Sequence, residues 1–182
     1  MRFLLLILTL LSFPLHAQEL LPKYQVLGYI NMVMEGEERQ YPVIALEDRS
    51  FANKYELSRD YGMFKYRIAG VSVRSDGEWD YPMISVDITT HDEDMFRSIY
   101  IVYSTETYRS DYVFRSSTND QTAFYGELVE GENGLVEFAF RGQLVHYDVD
   151  GDAGTFTPQA GKVPVDITGS VSVMIPEEYR ED

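Results

Sequence analysis

The strongest constraint on the fold is a long run of alternating side chains near the C-terminus, from Val163 to Ile175. Its odd-numbered positions are apolar or glycine, and most of its even-numbered positions are polar. Because successive side chains of a β-strand point to opposite faces, this period of two predicts one strand with a buried face and a solvated face. A half-solvated strand is typical of an antiparallel sheet. We expect a bend or bulge at Gly169, within so long a strand.

The rest of the chain repeats this alternation in segments that turn residues separate. Asp76-Gly77, between two such segments, predicts a two-residue hairpin, because both central positions of that turn need a positive φ. The chain has about nine predicted strands, which indicates an all-β fold: an antiparallel β-sandwich, with a closed up-and-down β-barrel as the alternative. One short helix is expected from Ser50 to Tyr61, since Ser50 can cap its start and Gly62 its end.

The segment from Leu135 to Val149 changes phase along its length. Its apolar residues occupy even-numbered positions up to Phe140 and odd-numbered positions from Val145 onward. A bulge would exchange the two faces of a strand, and Gly142 lies at the point where the phase changes. We therefore expect a bulge at Gly142.

The first seventeen residues have the layout of a secretory signal peptide. Arg2 precedes an apolar run that ends at Pro14, and Ala17 is the small residue at the expected cleavage position. The run is too short for a comfortable membrane span, and no later segment is apolar enough to make one. Residues 18–182 are therefore expected to form a single exported β-rich domain.

The absence of cysteine and the acidic charge narrow the possible functions. Disulfides, thiol catalysis and thiolate metal sites are excluded, and an exported chain without disulfides is typical of the bacterial periplasm or the extracellular space. Without the signal peptide the chain carries fourteen basic and thirty acidic side chains, a net charge of −16. This charge argues against nucleic acid and anionic membranes as partners, and it favours cationic partners or divalent metal ions.

Asp148, Asp150 and Asp152 place three carboxylates at alternate positions of one segment. Such carboxylates can converge on calcium, which takes six to eight oxygen ligands. The run resembles the first five positions of an EF-hand or dockerin-type calcium loop. It departs from that pattern at Ala153, where the loop has glycine, and at Gln159, where it has a bidentate glutamate. The resemblance implies calcium as a possible cofactor, and a solvated hairpin turn is the alternative.

Two histidines suggest a second kind of metal site. His146 and Asp148 lie two residues apart on a predicted strand, so their side chains share a face and could ligate zinc. His91 is the other histidine of residues 18–182, and acidic residues 92–94 follow it. If the fold brings His91 to His146, two histidines and a carboxylate could hold a transition metal. A metal-assisted hydrolase is therefore one functional hypothesis.

The aromatic residues suggest a binding role. The chain has fourteen tyrosines and one tryptophan, and Trp79 and Tyr81 could form an exposed surface that stacks on a ligand. The alternative is that these rings pack against the core. The sequence has no nucleophile elbow, phosphate loop or His-Glu-x-x-His motif.

The leading hypothesis is therefore a non-catalytic binding or interaction module of the bacterial cell envelope, located in the periplasm or outside the cell. Its ligand would be a glycan, a small apolar molecule or an envelope protein. A structural or assembly component that uses exposed strand edges is a further hypothesis.

Overall fold

The computed structural model describes residues 20–91, 95–106, 113–115, 128–131, 133–150 and 155–180. The predicted signal peptide lies outside these residues. The strands are β1 (Gln25–Met34), β2 (Glu37–Leu46), β3 (Arg49–Ser50), β4 (Ala52–Ser58), β5 (Met63–Val73), β6 (Trp79–His91), β7 (Met95–Ser104), β8 (Val113–Arg115), β9 (Leu128–Glu130), β10 (Leu135–Asp150), β11 (Thr155–Pro158) and β12 (Val165–Met174). Two short 3₁₀ helices span Arg59–Tyr61 and Glu177–Tyr179. Within the described ranges, no helix has the length and apolar character needed to cross a membrane.

The strands form one continuous sheet in the order β3-β2-β1-β12-β10-β8-β7-β6-β5-β4, with β9 and β11 also paired to β10. Neighbouring strands run antiparallel, which confirms the prediction of an all-β antiparallel fold. β2 also pairs with β5 through Val43 and Gly70, so the sheet curls until two of its strands meet. The layers that enclose the core therefore belong to one sheet. A closed barrel would also bring β2 next to β5. Here a single residue pair joins these two strands, rather than a ladder along their length.

One apolar core fills the space inside the curled sheet. Most of the strands contribute side chains with almost no exposed surface, among them Ile30, Val43, Tyr66, Ile84, Ile101, Phe138 and Val171. Each of these residues alternates along its strand with a more exposed neighbour, as a sheet with one dry face requires. The core is thus assembled from residues that lie far apart in the sequence.

Strand β12 has the two faces that its alternation predicts. Ile167, Val171 and Val173 are buried, whereas Thr168 and Ser172 are exposed. β12 lies between β1 and β10 and forms backbone ladders with both. The sequence pattern that most constrains the fold therefore belongs to a strand that is paired along both of its edges.

Of the bend or bulge expected at Gly169, the bulge is wrong. The register of β12 runs without a shift through Gly169 to both β1 and β10. The glycine instead makes room for an aromatic ring, because a Cβ at this position would lie 2.4 Å from Cζ of Phe140. Phe140 is the residue opposite Gly169 on β10, and its ring occupies the space that a side chain would need.

The bulge expected at Gly142 is also wrong. β10 keeps a regular register with β12 through Gly142, and even-numbered residues remain on the inner face as far as Leu144, which is fully buried. Val145 and Tyr147 are half-buried. The change of phase in the sequence therefore reflects partial burial of the outer face rather than an exchange of faces.

The helix predicted from Ser50 to Tyr61 is wrong over most of its length. Residues Ala52–Ser58 form β4, which pairs with β5, and Ala52 and Lys54 are buried in the alternating pattern of a strand. Only Arg59–Tyr61 is helical, and Gly62 ends this turn as expected, with a φ of 54°. Pairing with β5 outweighs the capping signal at Ser50, as tertiary context commonly does for short segments.

The hairpin predicted at Asp76-Gly77 is confirmed, but the predicted two-residue turn with a positive φ at both positions is wrong. The loop is Ser75-Asp76-Gly77, and of these residues Gly77 alone has a positive φ, of 83°. The amide of Gly77 donates a hydrogen bond to the carbonyl of Arg74 at 2.9 Å, and the amide of Arg74 donates to the carbonyl of Glu78 at 2.8 Å. β5 ends three residues before Asp76 and β6 begins two residues after Gly77. This β5–β6 turn holds the N-terminal residues of the described chain, as shown below.

Candidate functional site

A concave surface lies on the outer face of the sheet, where β12 passes between β1 and β10. It encloses about 640 Å³, which is within the usual range for ligand sites. The outward side chains that line it are Asn31, Val33, Glu38, Gln40, Thr168 and Ser170. We call this surface the β12 groove.

The strand register explains why the surface is concave. Gln40, Asn31 and Ser170 form one row across β2, β1 and β12, and Glu38, Val33 and Thr168 form another. The β12 residue of each row, Ser170 or Thr168, has a short side chain. β12 therefore forms the floor of the groove, and the side chains of β1 and β2 form one side of it.

The row between these two faces the core. It consists of Arg39, Met32, Gly169 and Phe140, and its backbone lies beneath the groove. On the other side of β12, Ala139 lies opposite Ser170 and Arg141 lies opposite Thr168. The groove therefore follows β12, with β1 and β2 on one side of that strand and β10 next to it on the other.

The groove is lined by neutral hydrogen-bonding groups. The Gln40 amide nitrogen donates to the Asn31 amide oxygen at 2.9 Å, which fixes the orientation of both side chains. By valence, the Asn31 amide nitrogen keeps its donors and the Gln40 amide oxygen keeps acceptor capacity. The hydroxyls of Thr168 and Ser170 can donate or accept, and Glu38 is the one carboxylate in the lining. Such a set suits a neutral ligand with many hydroxyl groups.

Arg39 also lines the groove, and its guanidinium has two partners. It donates to the hydroxyl of buried Tyr103 on β7 at 2.9 Å and to the Glu37 carboxylate at 2.8 Å. The Tyr41 hydroxyl also contacts the Tyr103 hydroxyl, at 3.2 Å, and burial raises the pKa of Tyr41 above its ordinary value. The Glu37 carboxylate therefore neutralises part of the charge that Arg39 brings to the groove.

Trp79 and Tyr81 are the ring pair predicted to bind a ligand. They lie on the outer face of the sheet, away from the β12 groove. Trp79 packs edge-on against Phe51, with centroids 5.7 Å apart, and lies 6.3 Å from the Tyr81 ring. Trp79 also covers a small apolar cluster centred on Ile44 and Val71. Half-buried rings that cover apolar residues match the packing alternative, and ligand binding at Trp79 and Tyr81 stays a prediction.

His146 borders a second hollow, of about 620 Å³, beside the β1–β2 turn. Glu35, Lys162 and Asp166 are its other charged neighbours. Burial lowers the pKa of His146 below its ordinary value, and the positive charge of Lys162 lowers it further. The imidazole is therefore predominantly neutral at pH 7, which is the form that ligates metal ions.

The structure does not gather His91, His146 and Asp148 into a metal site. Among the described residues, no group of three histidine or acidic side chains could hold a metal ion. By register His146 is level with Ile84 of β6, and His91 lies seven residues further along that strand, about 23 Å at the usual rise. The acidic residues 92–94 lie outside the described residues.

Two of the three predicted calcium ligands lie on the first strand of a hairpin. Asp148 and Asp150 pair with Thr157 and Thr155 of β11, so both belong to a β-ladder. The Asp148 carboxylate accepts a hydrogen bond of 2.6 Å from the Gln159 amide. The Asp150 side chain and all of Asp152 lie outside the described residues. The hairpin is thus present, and calcium binding stays a prediction.

Calcium binding at this hairpin should raise the melting temperature. Extracellular calcium modules have dissociation constants of roughly 10⁻⁴–10⁻³ M, and the incomplete ligand set places this loop at the weak end. Calcium at about 10 mM, roughly ten times the weakest constant, should then stabilise the fold by about 1.4 kcal/mol. Asp150→Ala should abolish the rise, whereas Asp166→Ala, which removes a carboxylate elsewhere, should keep it. Thermal melts with and without calcium measure this, and unchanged melts would leave the solvated hairpin.

The residues of the β12 groove were not predicted as a site. The alternation places Asn31, Gln40 and Ser170 on solvated faces, but a period of two says nothing about which strands become neighbours. Asn31 meets Gln40 across a tight turn, and Ser170 joins them because the last long strand pairs with the first. The alternating Thr168, Ser170 and Ser172 are a local signal, since three small polar residues on one face predict a shallow floor.

The fold and the groove define an all-β antiparallel protein with a polar concave surface on the outside of its sheet. The chain matches no family model, no curated protein and no solved structure in the comparisons made.

Proposed function

We propose that this protein is a non-catalytic exported binding module that holds a neutral glycan in the β12 groove. The observation that carries the proposal is the paired amides of Asn31 and Gln40 beside the hydroxyls of Thr168 and Ser170, along one concave surface. Amides and hydroxyls match the alternating donors and acceptors of a sugar. Export to the periplasm or the cell exterior, where glycans are accessible, is part of this proposal.

One exposed apolar side chain in the groove and an exposed ring beside it support the same ligand class. Val33 is 37 % exposed within the lining, and Tyr29 is 41 % exposed one row further along β1. Tyr29 lies opposite Ser172, the last of the three hydroxyl residues that alternate along the outer face of β12. A sugar ring has an apolar face as well as polar edges, and an exposed aromatic ring can pack against that face.

Charge selects against acidic glycans. Glu38 lies in the groove, Glu137 lies on β10 opposite Ser172, and residues 18–182 carry a net charge of −16. The nearest guanidinium of the lining, that of Arg39, is bonded to Tyr103 and Glu37. An anionic ligand would therefore meet repulsion from these two carboxylates, which the single charge of Arg141, opposite Thr168, offsets only in part.

The proposal predicts which oligosaccharides bind and which substitutions prevent binding. Isothermal titration calorimetry with hexasaccharides of neutral hexoses and of N-acetylhexosamines should detect binding of at least one series, and an oligosaccharide of uronic acids should bind more weakly. Asn31→Ala and Gln40→Ala should each weaken binding about tenfold, the effect of losing one or two hydrogen bonds. Ser170→Trp should abolish binding, because the indole would fill the floor of the groove.

Thr89→Ala is the matched control. Thr89 is a half-buried residue on the outer face of β6, and its loss should leave the affinity unchanged. Circular dichroism should show that all four variants keep the β-sheet spectrum. Stronger binding of the uronic-acid oligosaccharide, or full binding by Ser170→Trp, would contradict the proposal, as would no binding of any neutral series.

A further inference from the structure

A small apolar cluster lies on the outer wall of the sheet, separate from the main core. Ile44 of β2 and Val71 of β5 have no exposed surface, and Tyr24 is 7 % exposed. Leu20 and Leu21 pack against this cluster together with Phe51 and Trp79. The residues just before β1 therefore cover part of the outer wall. We call Leu20–Tyr24 the N-terminal strap.

The β5–β6 turn holds the N-terminal strap by three hydrogen bonds. The amide of Leu21 donates to the carbonyl of Gly77 at 3.2 Å. The ammonium of Lys23 donates to one oxygen of the Glu78 carboxylate at 2.6 Å, and the Tyr24 hydroxyl donates to the other oxygen. Both side-chain bonds of the strap thus end at a single carboxylate.

The charges around Glu78 make this contact depend on pH. The hydrogen bond from Lys23 and then that from Tyr24 lower the pKa of Glu78 below its ordinary value. On the turn itself, Asp76 opposes this effect weakly, and Arg74 forms an ion pair with Asp76. The pKa of Glu78 is lowered while the strap is bound to the outer face. The ionised carboxylate therefore contributes its full share to the stability of the bound strap above the ordinary carboxyl pKa. This contribution is lost as the pH falls through the lowered value.

We propose that the N-terminal strap is an acid-released cover, which leaves the outer wall when Glu78 is protonated and exposes the apolar surface around Trp79. Protonation removes the ion pair with Lys23 and turns one acceptor oxygen into a donor. None of the strap residues belongs to the main core, whose first member along the chain is Leu27. The strap can therefore detach before β1 begins, and the sheet stays folded.

Trp79 reports this movement directly, because it is the only tryptophan and lies at the edge of the strap. Acidification of the wild-type protein should shift the Trp79 emission to longer wavelength, at a pH where the far-ultraviolet circular dichroism is unchanged. Glu78→Gln, which mimics the protonated carboxyl, should show the shifted emission at pH 7 and little further change on acidification. Asp76→Asn is the matched control, since Asp76 bonds to Arg74 and to the turn rather than to the strap.

Trypsin cleavage after Lys23 gives a second readout at neutral pH. Glu78→Gln should be cleaved several-fold faster there than the wild type, and Asp76→Asn should match the wild type. Two results would overturn the proposal. One is an emission change that coincides with loss of the β-sheet spectrum, since the strap would then not be a separate unit. The other is wild-type emission and wild-type cleavage in Glu78→Gln.

Discussion

Gly28→Ala is expected to lower the free energy of unfolding by about 3–5 kcal/mol, the upper range for a single substitution. A Cβ at Gly28 would lie 2.1 Å from the carbonyl oxygen of Ser172 and 2.6 Å from Cα of Val173. Both atoms belong to the backbone of β12, which pairs with β1 at this level. No side-chain rotation can relieve such a clash. The two strands would have to separate and lose hydrogen bonds of a buried ladder.

Gly36→Ala is the matched control for that substitution. Gly36 also has a positive φ, of 80°, but a Cβ there would meet nothing within 4 Å, because the residue lies in the exposed β1–β2 turn. Only backbone strain remains, with a cost of roughly 1 kcal/mol. Urea unfolding of the two variants separates steric exclusion from conformational strain. A loss at Gly28 no greater than that at Gly36 would mean that β1 and β12 lie further apart than described.

Ile167→Ala is expected to cost about 2–4 kcal/mol, through lost burial and the cavity that remains. Ile167 is 2 % exposed and belongs to the main core. Ser170→Ala, three residues along the same strand, should cost well under about 1 kcal/mol, because its side chain faces the groove. Urea unfolding of both variants compares the two faces of one strand directly. Similar losses at the two positions would show that β12 is buried on both sides.

The features that could be predicted from the sequence are those that depend on neighbouring residues. The alternation from Val163 to Ile175 predicts the two faces of β12, because side-chain direction follows from the backbone of the strand itself. Asp76-Gly77 predicts its hairpin because the turn needs a positive φ at a specified position. Both signals are local, and the two faces and the hairpin are confirmed, although the hairpin loop is one residue longer than the prediction.

The features that could not be predicted depend on which strands become neighbours. The segment from Ser50 to Tyr61 carries a helix cap, but the exposed edge of β5 binds it as β4. The sequence pattern predicts a bulge at Gly142 and a bend or bulge at Gly169, and the strand register shows no bulge at either. Gly169 instead makes room for the ring of Phe140, which belongs to another strand. The sequence around Gly169 contains no sign of that contact. The β12 groove combines β1, β2 and β12, so its residues meet only after the first and last long strands pair.

The position of β12 also determines the order in which the chain can fold. Strands β4 to β7 pair with their neighbours along the chain, so this meander can form early through short loops. The ladder between β1 and β12 can form only after two segments far apart in the sequence meet. Pairing at such a sequence distance slows folding to the range of milliseconds to seconds. Until β12 arrives, β1 and β10 both have an unpaired edge that can recruit another chain. The time before that last insertion is therefore when this protein is most prone to aggregate.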